Sequence, residues 1–118
     1  MAKLQQGSVI WARVPDQNNQ NHKTRALVVL TRTDEIEPGK KFVAVAISSD
    51  FDVPLEDRAI PMPWLKNRHP VTRLYEPSVA VCDWLVALDE SQVETISHRP
   101  IETRLLVQIM AQVSKCSQ

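Results

Sequence analysis

Ala26-Leu27-Val28-Val29-Leu30 and Phe42-Val43-Ala44-Val45-Ala46-Ile47 are uninterrupted apolar runs bounded by polar residues. Both are too short to read as buried helices, and each is rich in strand formers, so each is expected to be a strand at the centre of a sheet. Working outward, Ser8 to Val14 alternates Val9, Trp11 and Arg13 with Ile10, Ala12 and Val14, the pattern of a strand with mixed faces. Val53 to Ile60 is a weaker strand candidate because Pro54 lacks the N–H a ladder needs. Ser78 to Leu88 is a longer, mostly apolar stretch and completes the set. Between the strands lie an Asn/Gln-rich loop, Pro15 to Lys23, and the segment Pro61 to Tyr75, whose three prolines, Pro61, Pro63 and Pro70, rule out a regular ladder.

Helical signals come late. Asp89-Glu90-Ser91-Gln92 has the spacing of a capping box and predicts one helical turn. Pro100 suits a first helical position, and Ile101, Leu105, Ile109, Met110 and Val113 recur at helical spacing through Lys115. Gly7 and Gly39 are the only glycines, which disfavours two-residue hairpins. The expected fold class is mainly β with minor α: a small, strongly bent antiparallel barrel with a short helical turn and a C-terminal helix, in one domain spanning residues 1–118.

Composition narrows the function. The 118 residues carry 14 Lys+Arg against 14 Asp+Glu and are 43% hydrophobic, the profile of an ordinary folded domain rather than a disordered chain. A chain of this size buries roughly two-thirds of its unfolded surface, enough for a core without staples. No apolar run approaches the roughly 20 residues of a membrane helix, and no secretory pattern opens the sequence, so a cytoplasmic location is expected. Cys82 and Cys116 are too few and too scattered for a disulfide framework and read as a core thiol and a tail thiol. His22, His69 and His98 are far apart in sequence and lack any metal-ligand spacing, so neither a metal nor a cofactor is expected. Two isolated glycines build neither a P-loop nor a dinucleotide fingerprint, and there is no GxSxG elbow.

What remains is charge placement. Asp50, Asp52, Glu56 and Asp57 form an acidic stretch, whereas from Arg58 to Tyr75 there is no acidic residue and Arg58, Lys66, Arg68 and Arg73 are positive. If folding separates the two blocks, a neutral protein can still present a phosphate-binding face. His22-Lys23-Thr24-Arg25 enters the central strand from a polar loop, and an arginine at a strand mouth is held rigidly while its planar fork meets an anion. A rim salt bridge is the alternative. Ser48-Ser49 ends the second central run and either carries chemistry or begins a turn. Trp11 and Trp84 read as core aromatics, and Trp64, beside Pro63 and the basic run, as the exposed one able to stack a base.

In order, these blocks resemble the MazF/PemK toxin endoribonucleases of bacterial toxin-antitoxin systems. Gly7-Ser8-Val9-Ile10-Trp11 resembles that family's opening strand, Lys23 through Leu30 its basic-x-Arg-Pro-x-Val-Val segment, Ala46-Ile47-Ser48-Ser49 its strand ending in Thr or Ser, and Glu76-Pro77-Ser78-Val79-Ala80-Val81-Cys82-Asp83 its Lys-Pro-Ser stretch. The resemblance implies an SH3-like barrel, a homodimer that cleaves single-stranded RNA without a metal, and an antitoxin partner that covers the RNA groove. Arg25 and Ser48 fall on the family's catalytic Arg and Thr/Ser positions, with His22 a candidate for proton transfer; Lys23, Arg58, Lys66, Arg68, Arg73 and Trp64 are the candidate RNA contacts. The chain departs from the pattern at Ala26, where the family has Pro, at Arg13, where an acidic residue is common, at Arg73, where a Gly is common, and in the glycine-free loop Pro15 to Lys23. Two further readings stay open: a catalytically silent barrel that binds RNA or a protein, and a gyrase-inhibiting toxin.

Overall fold

A computed structural model describes residues 3–49 and 58–117. The chain forms β1 (Val9–Val14), β2 (Lys23–Val29), a 3₁₀ turn (Thr33–Glu35), β3 (Phe42–Ser48), β4 (Ala59–Met62), β5 (Ser78–Leu88), a second 3₁₀ turn (Glu90–Gln92), β6 (Val93–Ile96) and α1 (Thr103–Cys116). All six strands lie in one antiparallel sheet in the order β4-β5-β3-β2-β1-β6.

This order corrects the expected barrel. Closure requires the outermost strands to hydrogen-bond to each other, and among the described residues β4 and β6 do not pair. Both edge strands are short, and β4 contains Pro61, which has no N–H to donate. The sheet is therefore open, not an SH3-like barrel, and its edges are blunted by brevity and proline.

Its centre is buried on both sides, as the unbroken apolar runs require. Leu27, Val28, Val29, Ala44, Val45 and Ala46 have no exposed surface. Alternation sends Val9, Ala26, Val28, Val45 and Ile47 into one core, covered by Ile101, Ile109, Val71 and Leu74. Ile10, Ala12, Val14, Leu27, Val29, Ala44 and Ala46 enter a second core with Phe42 and Leu88. Cys82 is buried in the first, and loss of hydration pushes its thiol up to about 11, so it is a packing residue rather than a nucleophile.

Three details differ from the sequence reading. β6, whose Val93, Thr95 and Ile96 are β-branched, follows directly on the capped turn at Asp89 and pairs with β1. The helix begins at Thr103 rather than Pro100 because the Ile101 N–H donates to the Gly7 carbonyl at 2.9 Å and its side chain is buried, which holds the chain extended. Gly7 itself has φ +89°, and a Cβ there would sit 3.1 Å from Pro100, so the crossing needs glycine. Finally, the strand expected over Val53 to Ile60 lies largely outside the described residues, as do Asp50, Asp52, Glu56 and Asp57; the described strand is β4.

Candidate functional site

Register builds the site. β2 and β3 pair Leu27 with Ala46, and continuing that ladder by two residues sets Arg25 level with Ser48, where both strands reach the edge of the buried sheet. β3 holds its course there because β5 bends: Val45 pairs with Leu85 but Ile47 with Ala80, so the intervening β5 residues bulge. Bulges re-aim side chains. Here the bulge carries Trp84, whose ring centroid lies 5.3 Å from the Arg25 guanidinium carbon. A cation over an indole face is favourable by about 0.5–2 kcal/mol depending on desolvation.

The edge of the same guanidinium is also held. Arg25 Nε donates to the Val14 carbonyl at 3.3 Å and Nη2 to the Asn21 carbonyl at 2.9 Å. Asn21 is positioned by the loop between β1 and β2, which winds around Asp16. That carboxylate accepts from the Asn18 and Gln20 N–H groups and from the Asn21 side-chain amide, each at 2.9 Å. These bonds, the Gln20 amide foremost, hold the Asp16 pKa below its ordinary value. Asn19 and Asn21 take the left-handed conformation, at φ 61° and 52°. Asparagine tolerates that region, so the loop turns tightly without glycine.

Arg25, Ser48 and Lys23 line one cleft of about 420 Å³, with Trp11, Tyr75, Glu76 and Trp84 among its other walls. A second cleft of about 530 Å³ adjoins it, sharing Trp11 and Thr24, and is lined by Arg68, Arg73 and His98. Glu94 also lines it and accepts from the Thr24 hydroxyl. The basic segment thus divides. Arg68 and Arg73 reach the second cleft, whereas Arg58 pairs with Asp83 at 3.0 Å and lines neither cleft. Lys66 and Trp64 are exposed on the same segment but line neither, and His22 is exposed beside Lys23 without entering the cleft.

The segment expected to lack a ladder, Pro61 to Tyr75, does so only in part: Pro61 and Met62 end β4, paired with Val79 and Ser78, because an edge strand tolerates a proline, whereas Pro63 to Tyr75 lacks strands but is bonded internally. The buried Thr72 hydroxyl donates to the Pro63 carbonyl at 2.8 Å and accepts from the Leu74 N–H at 3.2 Å. His69 Nδ1 accepts from the Val71 and Thr72 amides at 3.1 and 3.2 Å, which makes this histidine a turn-former rather than a ligand. The Trp11 indole N–H donates to the Thr72 carbonyl at 3.4 Å, tying the segment to β1.

Sequence reasoning missed Asp16 and Tyr75 and placed Trp84 in the core. Pro15-Asp16-Gln17-Asn18 carries an Asx-turn signal that could have found the first of these. Trp84 reads as core because a bulge leaves no mark in composition; in the structure it is half-buried against Arg25. Among the described residues, no three His, Cys, Asp or Glu side chains are grouped to hold a metal ion, and no helix is long and apolar enough to cross a membrane.

No protein-family model matches this chain, and no curated protein does. Solved structures do. MazF from Deinococcus radiodurans superposes with a TM-score of 0.70 at 13% identity, covering 95% of this chain and 94% of that one. The MazE-MazF structure from the same organism gives 0.68 at 14% identity, covering 95% and 93%. An endoribonuclease in complex with its cognate antitoxin, from a mycobacterial species, gives 0.68 at 10% identity, covering 98% and 95%. This chain therefore shares the fold of solved MazF toxins over nearly its whole length, and at such identities the fold is what the likeness establishes.

Proposed function

We propose that this protein is the toxin of a bacterial toxin-antitoxin system, an endoribonuclease that cleaves single-stranded RNA. The observation that carries the reading is the convergence of Arg25 and Ser48, from different strands, in one cleft. The ordered sequence blocks and the shared fold support it.

In the proposed reaction a ribose 2′-hydroxyl loses its proton and attacks the adjacent phosphorus, the P–O5′ bond breaks as the leaving 5′-oxygen takes a proton from solvent water, and the products are a 2′,3′-cyclic phosphate and a 5′-hydroxyl. Negative charge accumulates on the phosphorane oxygens, and Arg25 is the group that meets it. Guanidinium does not act as a base at neutral pH. Its ring partner and two carbonyl acceptors preorganise it, so its remaining donors face the phosphate without reorganising. Ser48 orients a phosphate oxygen, and Lys23 adds charge on the same wall. Of the carboxylates lining the cleft, Asp16 is engaged by loop amides, and Glu76 is the one assigned to receive the 2′-hydroxyl proton. His22, outside the cleft, receives no role.

A second copy of the chain and an antitoxin complete the proposal: a homodimer whose cleft is covered by an antitoxin segment presenting acidic and apolar side chains. The solved relatives described as toxin-antitoxin complexes support the partner class. The test is gel analysis of a long single-stranded RNA incubated in EDTA with the parent protein and with Arg25→Ala. Discrete fragments from the parent alone support the reading. RNA left intact but bound by the parent replaces it with the catalytically silent binding module.

A further inference from the structure

The second cleft has no role in the reaction just described, yet its walls are built for an anion. Arg68 and Arg73 both sit at left-handed backbone angles, φ 73° and 64°, a conformation that costs a side chain bearing a Cβ and persists only where its surroundings impose it. Arg68 lies 4.9 Å from the centroid of the Tyr75 ring, and its Nη1 donates to the Arg73 carbonyl at 3.3 Å. Among the described residues neither arginine has a carboxylate partner, in contrast to Arg32 and Arg58. Two guanidinium groups are thus brought to one concavity, one of them braced on an aromatic face, with no acidic side chain paired to either.

The two clefts are also joined. Trp11 and Thr24 line both, and Tyr75 faces the first while its ring carries an arginine of the second. A chain of phosphates leaving Arg25 across Trp11 meets Arg68 and Arg73 next. Glu94 also lines the second cleft, where it accepts from the Thr24 hydroxyl and forms no ion pair with either guanidinium.

We infer that the Arg68–Arg73 cleft is a second phosphodiester subsite, holding the strand at least one nucleotide away from the bond positioned at Arg25 and Ser48. This inference rests on the endoribonuclease reading and extends its footprint. It predicts a dependence on substrate length, because a short oligonucleotide fills the first cleft alone and a longer one fills both.

The test uses fluorescently labelled oligonucleotides carrying 2′-O-methyl groups at every position, which cannot undergo the proposed attack, in a trinucleotide and a nonanucleotide version. Binding is measured by anisotropy across a salt series for the parent and for Arg68→Asn/Arg73→Gly, replacements that suit left-handed backbone and spare the fold. The parent is expected to bind the longer strand more tightly. The double variant should weaken it about tenfold and lower the salt slope by about 0.7 for each phosphate no longer neutralised, with trinucleotide binding unchanged. Unchanged binding of the longer strand by the variant overturns the subsite while leaving the first cleft's chemistry standing. A variant that loses self-association in light scattering but binds the longer strand as before also overturns it, and assigns the cleft to a second copy of this chain. If the parent binds neither oligonucleotide and leaves unmodified RNA intact, the endoribonuclease reading fails and the subsite with it.

Discussion

The loop between β1 and β2 and the segment from Pro63 to Tyr75 are both irregular, and each contains two residues in left-handed conformation, but they achieve it with opposite chemistry. The first uses Asn19 and Asn21, which accept that backbone readily, and binds itself around the Asp16 carboxylate in solvent. The second uses Arg68 and Arg73, which accept it poorly, and is held by the buried Thr72 hydroxyl and the His69 ring. An exposed loop organised by its own polar side chains can aim one functional group, Arg25, without bearing on global stability. A segment fastened through a buried hydroxyl beside the core is part of the fold, and it can therefore keep two arginines in conformations a freer loop would relax.

That contrast can be broken at its ends. Removing what the first loop aims is expected to have the largest effect: Arg25→Ala should lower RNA cleavage by about 10²–10³-fold, the scale of losing a donor to a developing oxyanion. Arg25→Lys should fail to restore it, since a point charge lacks the fork that meets two carbonyls and a phosphate together. Single-turnover kinetics on a labelled RNA measure both.

Next comes the loop itself. Asp16→Ala should lower kcat about tenfold with KM and melting temperature little changed, because a misplaced positioning contact affects the transition state more than binding. The acidity of Asp16 supplies an independent check. Its folded pKa lies below the ordinary carboxylate value, so its support for the loop is complete above about pH 4 and is lost as pH falls through the folded value. Amide exchange or NMR shifts of Asn18 and Gln20 should therefore titrate in acid before the sheet unfolds.

The second segment should respond in stability rather than in rate. Thr72→Val removes a hydroxyl that serves both the Pro63 carbonyl and the Leu74 N–H, and leaving such groups buried and unpaired costs about 1–3 kcal/mol. Denaturant unfolding should show that loss while the folded fraction retains its kcat. Smallest is Arg73→Gly, which relieves a strained backbone and is expected to stabilise the protein by up to about 1 kcal/mol. A melting temperature that falls instead would mean that the side chain, not the turn, dictates this conformation.

The sheet's centre is legible in sequence because burial on both faces demands unbroken apolar runs, and those of Ala26–Leu30 and Phe42–Ile47 are buried apart from the half-buried Leu30 and the exposed Val43. The Asp89 turn is legible for a local reason: both halves of its capping box lie within one turn of chain. β6 is not. It is short and lacks strict alternation, and its assignment depends on β1, far away in sequence, offering a free edge. The start of α1 is misread at Pro100 because the Gly7 carbonyl that holds Ile101 extended lies in another part of the chain. At the site, Arg25 is visible as a charge at a strand mouth, whereas Trp84 is hidden, since its position depends on a mismatch between β3 and β5.

By itself the sequence determines which segments must be buried, where the chain must turn, and that a basic group stands at the entrance of the central strand; these follow from hydrophobic patterning and local backbone preference. Tertiary structure alone decides that the sheet stays open, because edge closure is a relation between strands at opposite ends of the order. It alone decides that Arg58 is neutralised by Asp83 while Arg68 and Arg73 flank a cleft. Charge identity is encoded residue by residue, but the distance between charges, on which their energies depend, is set only when distant strands pair.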